Sequence, residues 1–201
     1  MAERGRPRSF DRQTALQRAM EVFWANGFED ASMTDLTAAM EIASPSLYAA
    51  FGSKEALFQE AVELYQATVG LDIWESLETE PTIRGAIESF LLATARSYSK
   101  ADRPPGCLIV LGARPRGQRN SAVCDVLRSR RAENIDRLRQ RFERAVADGE
   151  LPEHFDCNAA AAFYATLQHG MSILARDGAD GATLEAVARN GVLSLRAMTA
   201  G

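Results

Sequence analysis

Apolar positions recur along this chain at three- and four-residue steps, and no stretch shows the strict alternation of a half-buried strand. The pattern predicts helices throughout. Over residues 11–26, Leu16, Met20, Phe23 and Trp24 fall on one face, with Asp11 placed as an N-cap and Gly27 as a left-handed stop. Ser32 and Asp35 have capping-box spacing and open a second helix. A third, short helix is expected over residues 44–51. Pro45 suits its first position, where a missing N–H costs nothing, and Gly52 ends it. Ser53 caps a fourth helix with the stripe Leu57, Ala61, Leu64, Tyr65 and Thr68.

Beyond residue 70 the pattern becomes that of a bundle. Pro81 opens a helix carrying Ile83, Ile87, Phe90, Leu91, Thr94 and Tyr98 on one side. Pro104-Pro105-Gly106 breaks it before a short apolar helix over residues 107–111. After a loop at 112–120, an arginine-rich helix over 121–148 ends at Gly149 and Pro152, and two more helices follow at about 157–175 and 184–198. The expected architecture is all-α. A flexible basic arm at 1–8 precedes a three-helix unit at 9–69, with a helix-turn-helix at about 32–51. A larger helical bundle at 70–201 follows.

The net charge of −4 has the wrong sign for a protein that coats nucleic acid, but the charge is unevenly spread. Residues 1–18 hold five arginines, Arg4, Arg6 and Arg8 among them, against Glu3 and Asp11. Residues 114–144 hold ten arginines against four acids. This favours local contact with a polyanion, although a charge run on a long helix is also what a solvated face looks like. Three widely spaced cysteines make no disulfide framework, which points to a reducing cytoplasm. No apolar run is long enough for a membrane span, and no apolar segment follows the N-terminal arginines as a secretory signal requires.

Helices two and three carry the chemistry. The second helix of a helix-turn-helix lies in the major groove and presents its early residues to base edges. Here those residues are small: Ser44, Pro45, Ser46, Ala49 and Ala50. Small groups let the helix approach closely. A serine hydrogen-bonds several base edges, and Pro45 or Ala49 offers apolar contact to a thymine methyl. Tyr48 is placed to hydrogen-bond a phosphate, and Lys54 to pair with one at a helix N-terminus. Thr34 does the same from the other side of the groove. Leu36, Met40, Ile42, Leu47 and Phe51 read as core, and Ser44 also suits an N-cap.

These residues resemble the TetR family of bacterial transcriptional regulators. The likeness rests on Phe23 to Phe28, Ser32-Met33-Thr34-Asp35-Leu36, and the run from Ser46 to Phe58, about residues 9–69. It implies that Thr34, Ser46, Tyr48 and Lys54 hold phosphates and that Ser44, Pro45 and Ala49 face bases. It departs at Glu41, where the family usually has a turn glycine. It further implies a repressor with a double-stranded DNA operator and a homodimer. It also implies a small-molecule effector pocket in the bundle, with Phe90, Thr94, Tyr98, Cys107, Leu108, Phe163 and His169 as candidate lining residues, each also readable as core.

A single unit reads only a few base pairs, so two copies spaced one DNA turn apart are needed. Two stripes suit such a contact: Phe163, Leu167, Gly170, Met171 and Leu174, then Leu184, Val187, Gly191, Leu195 and Met198. Cys107 follows a helix break near Arg103 and Arg114, a context for a thiol that senses oxidants or electrophiles in a redox-responsive repressor, with Cys124 as partner, or for a small buried hydrophobe. His154, Cys157 and His169 meet no zinc spacing, and no cofactor motif or nucleophile–base context appears, so no enzyme is expected. An effector-independent architectural DNA binder is the competing class, disfavoured by the size of the bundle.

Overall fold

The computed structural model describes residues 10–114 and 121–199; the arginine arm and the loop at 115–120 lie outside them. All regular structure among the described residues is α-helical: α1 (Arg12–Asp30), α2 (Met33–Met40), α3 (Ser44–Phe51), α4 (Lys54–Ala67), α5 (Leu71–Trp74), α6 (Ser76–Thr79), α7 (Ile83–Tyr98), α8 (Leu108–Leu111), α9 (Ser121–Ala147), α10 (Cys157–Arg176) and α11 (Gly181–Thr199). Helices α1, α2 and α4 pack together, α7 lies along α11, and α9 lies along α10.

Local signals decide most ends. Asp11, Ser53, Thr82 and Asp156 each accept a backbone N–H of the first turn of the helix that follows. The capping box is complete. Ser32 Oγ accepts from Asp35 N–H, and the Asp35 carboxylate accepts from Ser32 N–H at 3.0 Å and from its hydroxyl at 2.6 Å. Those bonds hold the Asp35 carboxyl below its ordinary range. Ser32→Ala is expected to cost about 1 kcal/mol of stability, measured by urea denaturation. Other ends differ from expectation. Ala43, not Ser44, precedes α3 as its N-cap, so Ser44 caps nothing and its side chain is exposed. Helix α11 starts three residues early because Asp180 accepts from Thr183 N–H.

Gly27 does not end α1 in the left-handed helical region. At φ 79° and ψ 168° it kinks the helix, which resumes to Asp30. The kink turns Phe28 N–H outward to Gly112 O at 2.7 Å. It also leaves carbonyls of the previous turn to Arg176, which donates to Trp24 O at 2.8 Å and Ala25 O at 3.1 Å. The head is filled by aromatics: Phe58 meets the edges of Phe23 and Phe28, and Tyr65 meets Trp24.

The arginine run on α9 is largely internal wiring. Arg130 and Arg139 pair with acids of the same helix, and Arg137 with Glu78. Arg131 donates to Ile109 O and Arg144 to Leu77 O. Arg141 is buried against Glu80 O. These arginines tie α9 to its neighbours.

Candidate nucleic-acid interface

Helix α3 turns two faces in different directions. Leu47 and Phe51, one turn apart, are buried, whereas Ser44, Pro45, Tyr48 and Ala49 are exposed and Ser46 is half-buried. Tyr48 is half exposed although it is a large aromatic. The helix thus presents a small-residue surface with one phenol projecting from it. Thr34, near the start of α2, is exposed as well.

The turn before α3 is held without glycine. Glu41 adopts the left-handed conformation, φ 56° and ψ 39°, the one non-glycine positive φ among the described residues. Its N–H bonds to Ala38 O and that of Ile42 to Thr37 O, a Schellman pair. That conformation costs a non-glycine residue about 1–2 kcal/mol. The carboxylate turns back to Arg18 at 2.8 Å, so its charge is matched within the head.

Lys54 sits differently from the expectation of a free phosphate ligand. Its ammonium donates to Phe28 O at 2.5 Å and lies over the Phe28 ring at 4.5 Å. Partial burial there pushes its pKa down. It binds the C-terminal end of α1, where a helix accumulates negative potential.

The head is joined to the bundle through the segment around α8. Trp24 Nε1–H donates to Gly106 O at 3.1 Å, and Cys107 N–H donates to Ser172 Oγ at 2.9 Å. Beside this segment is a cavity of about 70 Å³ bounded by Tyr65, Trp74, Tyr98, Cys107, Asn134 and Gln168, with others. Of the seven candidate pocket residues, the structure places Tyr98 and Cys107 on it. Thr94 lies behind it, in contact with Gln168. Phe90 and Leu108 are fully buried in the core and do not bound this cavity. Phe163 stands 39 % exposed on the outer face of α10. His169 is half-buried beside Arg131, with burial and then that arginine pushing its pKa down.

Sequence reasoning placed Tyr65 in an apolar stripe and missed Asn134 and Gln168. These three come from α4, α9 and α10, and no local pattern groups them. The expected helix start at Cys107 is a single turn, too short to carry a dipole of consequence. The three cysteines are free thiols. Among the described residues no cluster of His, Cys, Asp and Glu is placed to hold a metal, and no helix is long and apolar enough to cross a membrane.

A helix-turn-helix with an outward small-residue helix, mounted on a helical bundle, defines a DNA-binding regulator. The family described as bacterial regulatory proteins, tetR family, matches residues 15–61, and the tetracyclin repressor-like C-terminal domain matches residues 84–190. HTH-type transcriptional repressor ComR of Escherichia coli (strain K12) is 34% identical over 177 residues, 88% of this chain and 84% of ComR. A cysteine-substituted form of the TetR family regulator CifR, complexed with 26-bp double-strand operator DNA, superposes with a TM-score of 0.91 at 43% identity, covering 94% of this chain and 99% of that one. A regulator from Rhodococcus sp. RHA1 is 36% identical, with a TM-score of 0.61 over 92% of this chain and 99% of its own. The chain belongs to the TetR family of bacterial transcriptional regulators.

Proposed function

We propose that this protein is a homodimeric repressor that binds a palindromic operator and releases it when a small-molecule effector occupies the bundle. In this reading residues 9–69 read DNA and residues 70–201 bind the effector and the second subunit. The observation that carries it is the outward face of α3, where Ser44, Pro45, Tyr48 and Ala49 are exposed together while Leu47 and Phe51 anchor the helix. Pro45 and Ala49, with Ser44, face base edges; Thr34, Ser46, Tyr48 and Lys54 take phosphates. The likeness to CifR, solved on operator DNA, and to the repressor ComR supports this.

Release requires the effector to favour the state that does not fit the operator. The cavity beside α8 is suited to that. Its wall at Cys107 is one residue from Gly106, which holds Trp24, and α8 leads to Gly112, which holds Phe28. A ligand that shifts α8 therefore pulls on both ends of the α1 kink.

Footprinting the DNA upstream of the protein's own gene tests the reading; a protected palindrome supports it, and no protection at any site defeats it. Lys54 gives a sharper check. Its ammonium has three N–H donors, so one can stay on Phe28 O while another reaches a phosphate. Lys54→Ala is expected to reduce the slope of log affinity against log salt by about one unit, equally on all operator variants. Tyr48→Phe is expected to weaken all sites alike. An unchanged slope for Lys54→Ala assigns the lysine to capping α1 alone.

A further inference from the structure

One charged side chain of the bundle is buried without a full set of partners. Arg141 is 4 % exposed, and its Nε and Nη1 have no hydrogen-bond partner among the described residues. Its Nη2 donates at 3.4 Å to Glu80 O, a long bond, and the Glu150 carboxylate stands 3.8 Å away, beyond hydrogen-bond reach. The other oxygen of that carboxylate already accepts from Ile83 N–H at 2.7 Å. Burial, then Arg144, pushes the Arg141 pKa down, yet a guanidinium keeps its proton and its donors at neutral pH. A buried charge is costly unless it is paired, so these N–H groups mark where an anion completes the set.

Arg141 is not alone. Arg137, Arg141 and Arg144 stand at i, i+4 and i+7 on α9 and so share one face. With Gln140 they line a cleft of about 280 Å³ against Leu77 and Glu78 of α6. Arg137 is held by Glu78 at 2.9 Å and lies 5.1 Å over the Trp74 ring, and Arg144 donates to Leu77 O at 2.9 Å. The Glu80 carboxylate accepts from the Ser89 hydroxyl at 2.9 Å. Among the described residues, three guanidiniums therefore line one cleft against a single carboxylate, that of Glu78.

The occupant is a small anion and not operator DNA. Helix α9 meets α4 and α8 through Arg130 and Arg131. At 1.5 Å per residue Arg141 lies about 15 Å further along, beside α6. The cleft thus belongs to the bundle and not to the surface that carries α3. Its volume sits at the lower edge of the range of about 300–1,000 Å³ typical of small-molecule sites. A phosphate group brings three terminal oxygens and nearly two charges, which matches several guanidinium forks better than one carboxylate does.

We propose that this cleft binds the phosphate group of a small molecule, with Arg141 and Arg144 donating to its oxygens and Arg137 shared between the ligand and Glu78. The group is either the free ion or the end of a phosphate monoester. The cleft has only Arg137 in common with the cavity beside α8, so the inference does not depend on that cavity being the effector site.

The test is calorimetric titration of the full-length protein at fixed ionic strength with inorganic phosphate, with glucose 6-phosphate and with glucose. Saturable binding of one phosphate group per chain is expected, with Kd below about 1 mM, and no binding of glucose. Binding of inorganic phosphate alone assigns the free ion, and tighter binding of glucose 6-phosphate assigns an ester; both support the site. Arg144→Gln is expected to weaken binding at least about tenfold. Arg141→Met removes the buried charge. It is expected to abolish binding while leaving the melting temperature of the phosphate-free protein nearly unchanged, which a purely structural arginine would not do. Arg139→Gln is the control, because Arg139 pairs with Asp136 and Glu143 of its own helix and does not line the cleft. Its binding should match the parent. If Arg141→Met does not fold, Arg144→Gln against Arg139→Gln decides. No saturable binding of either phosphate compound, parent-like affinity in Arg144→Gln, or an equal loss in Arg139→Gln would overturn the proposal.

Discussion

A variant carrying Phe163→Asp and Leu193→Asp is expected to sediment as a monomer at micromolar concentration and to bind operator DNA at least about a hundred-fold more weakly than the parent. The reason lies on the outer surface of α10 and α11. Phe163, Ile173 and Leu174 on α10 are 39, 49 and 40 % exposed, and Leu193 on α11 is 56 % exposed. Gly170 lies on the same side, with no atom within 4 Å of where a Cβ would stand. Large apolar side chains grouped around an unobstructed backbone suit a second copy of the same face. Aspartates there oppose like charges across the two-fold axis; Phe163 also gives up an edge contact with the buried Tyr164, so native helicity of the variant is checked alongside. The DNA loss follows from linkage: each α3 offers few base contacts, and the second head binds at the effective concentration set by the first. A dimer that survives both substitutions would move the interface elsewhere.

The two stripes read for that interface divide between outward and inward positions: Phe163 and Leu174 are exposed. Met171, Leu184 and Leu195 face inward and are buried. Gly191, expected to admit a second subunit, instead admits Leu167 and Leu91 of its own chain; a Cβ there would stand 2.4 Å and 2.8 Å from their methyl carbons. Ile173 and Leu193, absent from the stripes, are the most exposed apolar residues of the two helices. A helix with apolar residues on two sides has no single period, so sequence alone does not say which side turns toward its own bundle.

Near-neighbour chemistry was legible by contrast. The Ser32–Asp35 box and the Ser53 cap act within three residues and appear as read, and Pro45 stands in the first turn of α3, one place later than expected because Ala43 is the N-cap. Glu41 was visible as an oddity, but its solution was not: the matching charge, Arg18, sits on α1, more than twenty residues back. Helices α5 and α6, four residues each, are too short to show a period, and the sequence reading passed over them. The cavity was least legible because its walls come from α4, α5, α7, α8, α9 and α10 and become neighbours only on folding.

Gly106→Ala is expected to destabilise the fold by about 3 kcal/mol or more, lowering the melting temperature by about 6–12 °C in a chain of this length. Gly106 has φ +79°, and a Cβ added there would stand 2.6 Å from Ser172 O and 3.0 Å from Ser172 Oγ. The first of these is backbone near the C-terminal end of α10 and has no rotamer to escape into. Either α10 or the α8 segment must move. Either movement strains the bond from Trp24 Nε1–H to Gly106 O and the bond from Cys107 N–H to Ser172 Oγ, both buried. Gly149→Ala is the control. Its φ is +76° and nothing lies within 4 Å of the added carbon, so it carries the backbone penalty alone, about 1–2 kcal/mol. The difference between the two melts isolates the close approach of α8 to α10. Equal losses would mean that the contact yields freely, and α8 would then be too soft to transmit occupancy of the cavity to the α1 kink. A larger loss at Gly106 accompanied by weaker operator binding in the folded fraction would place that contact on the route between effector and DNA.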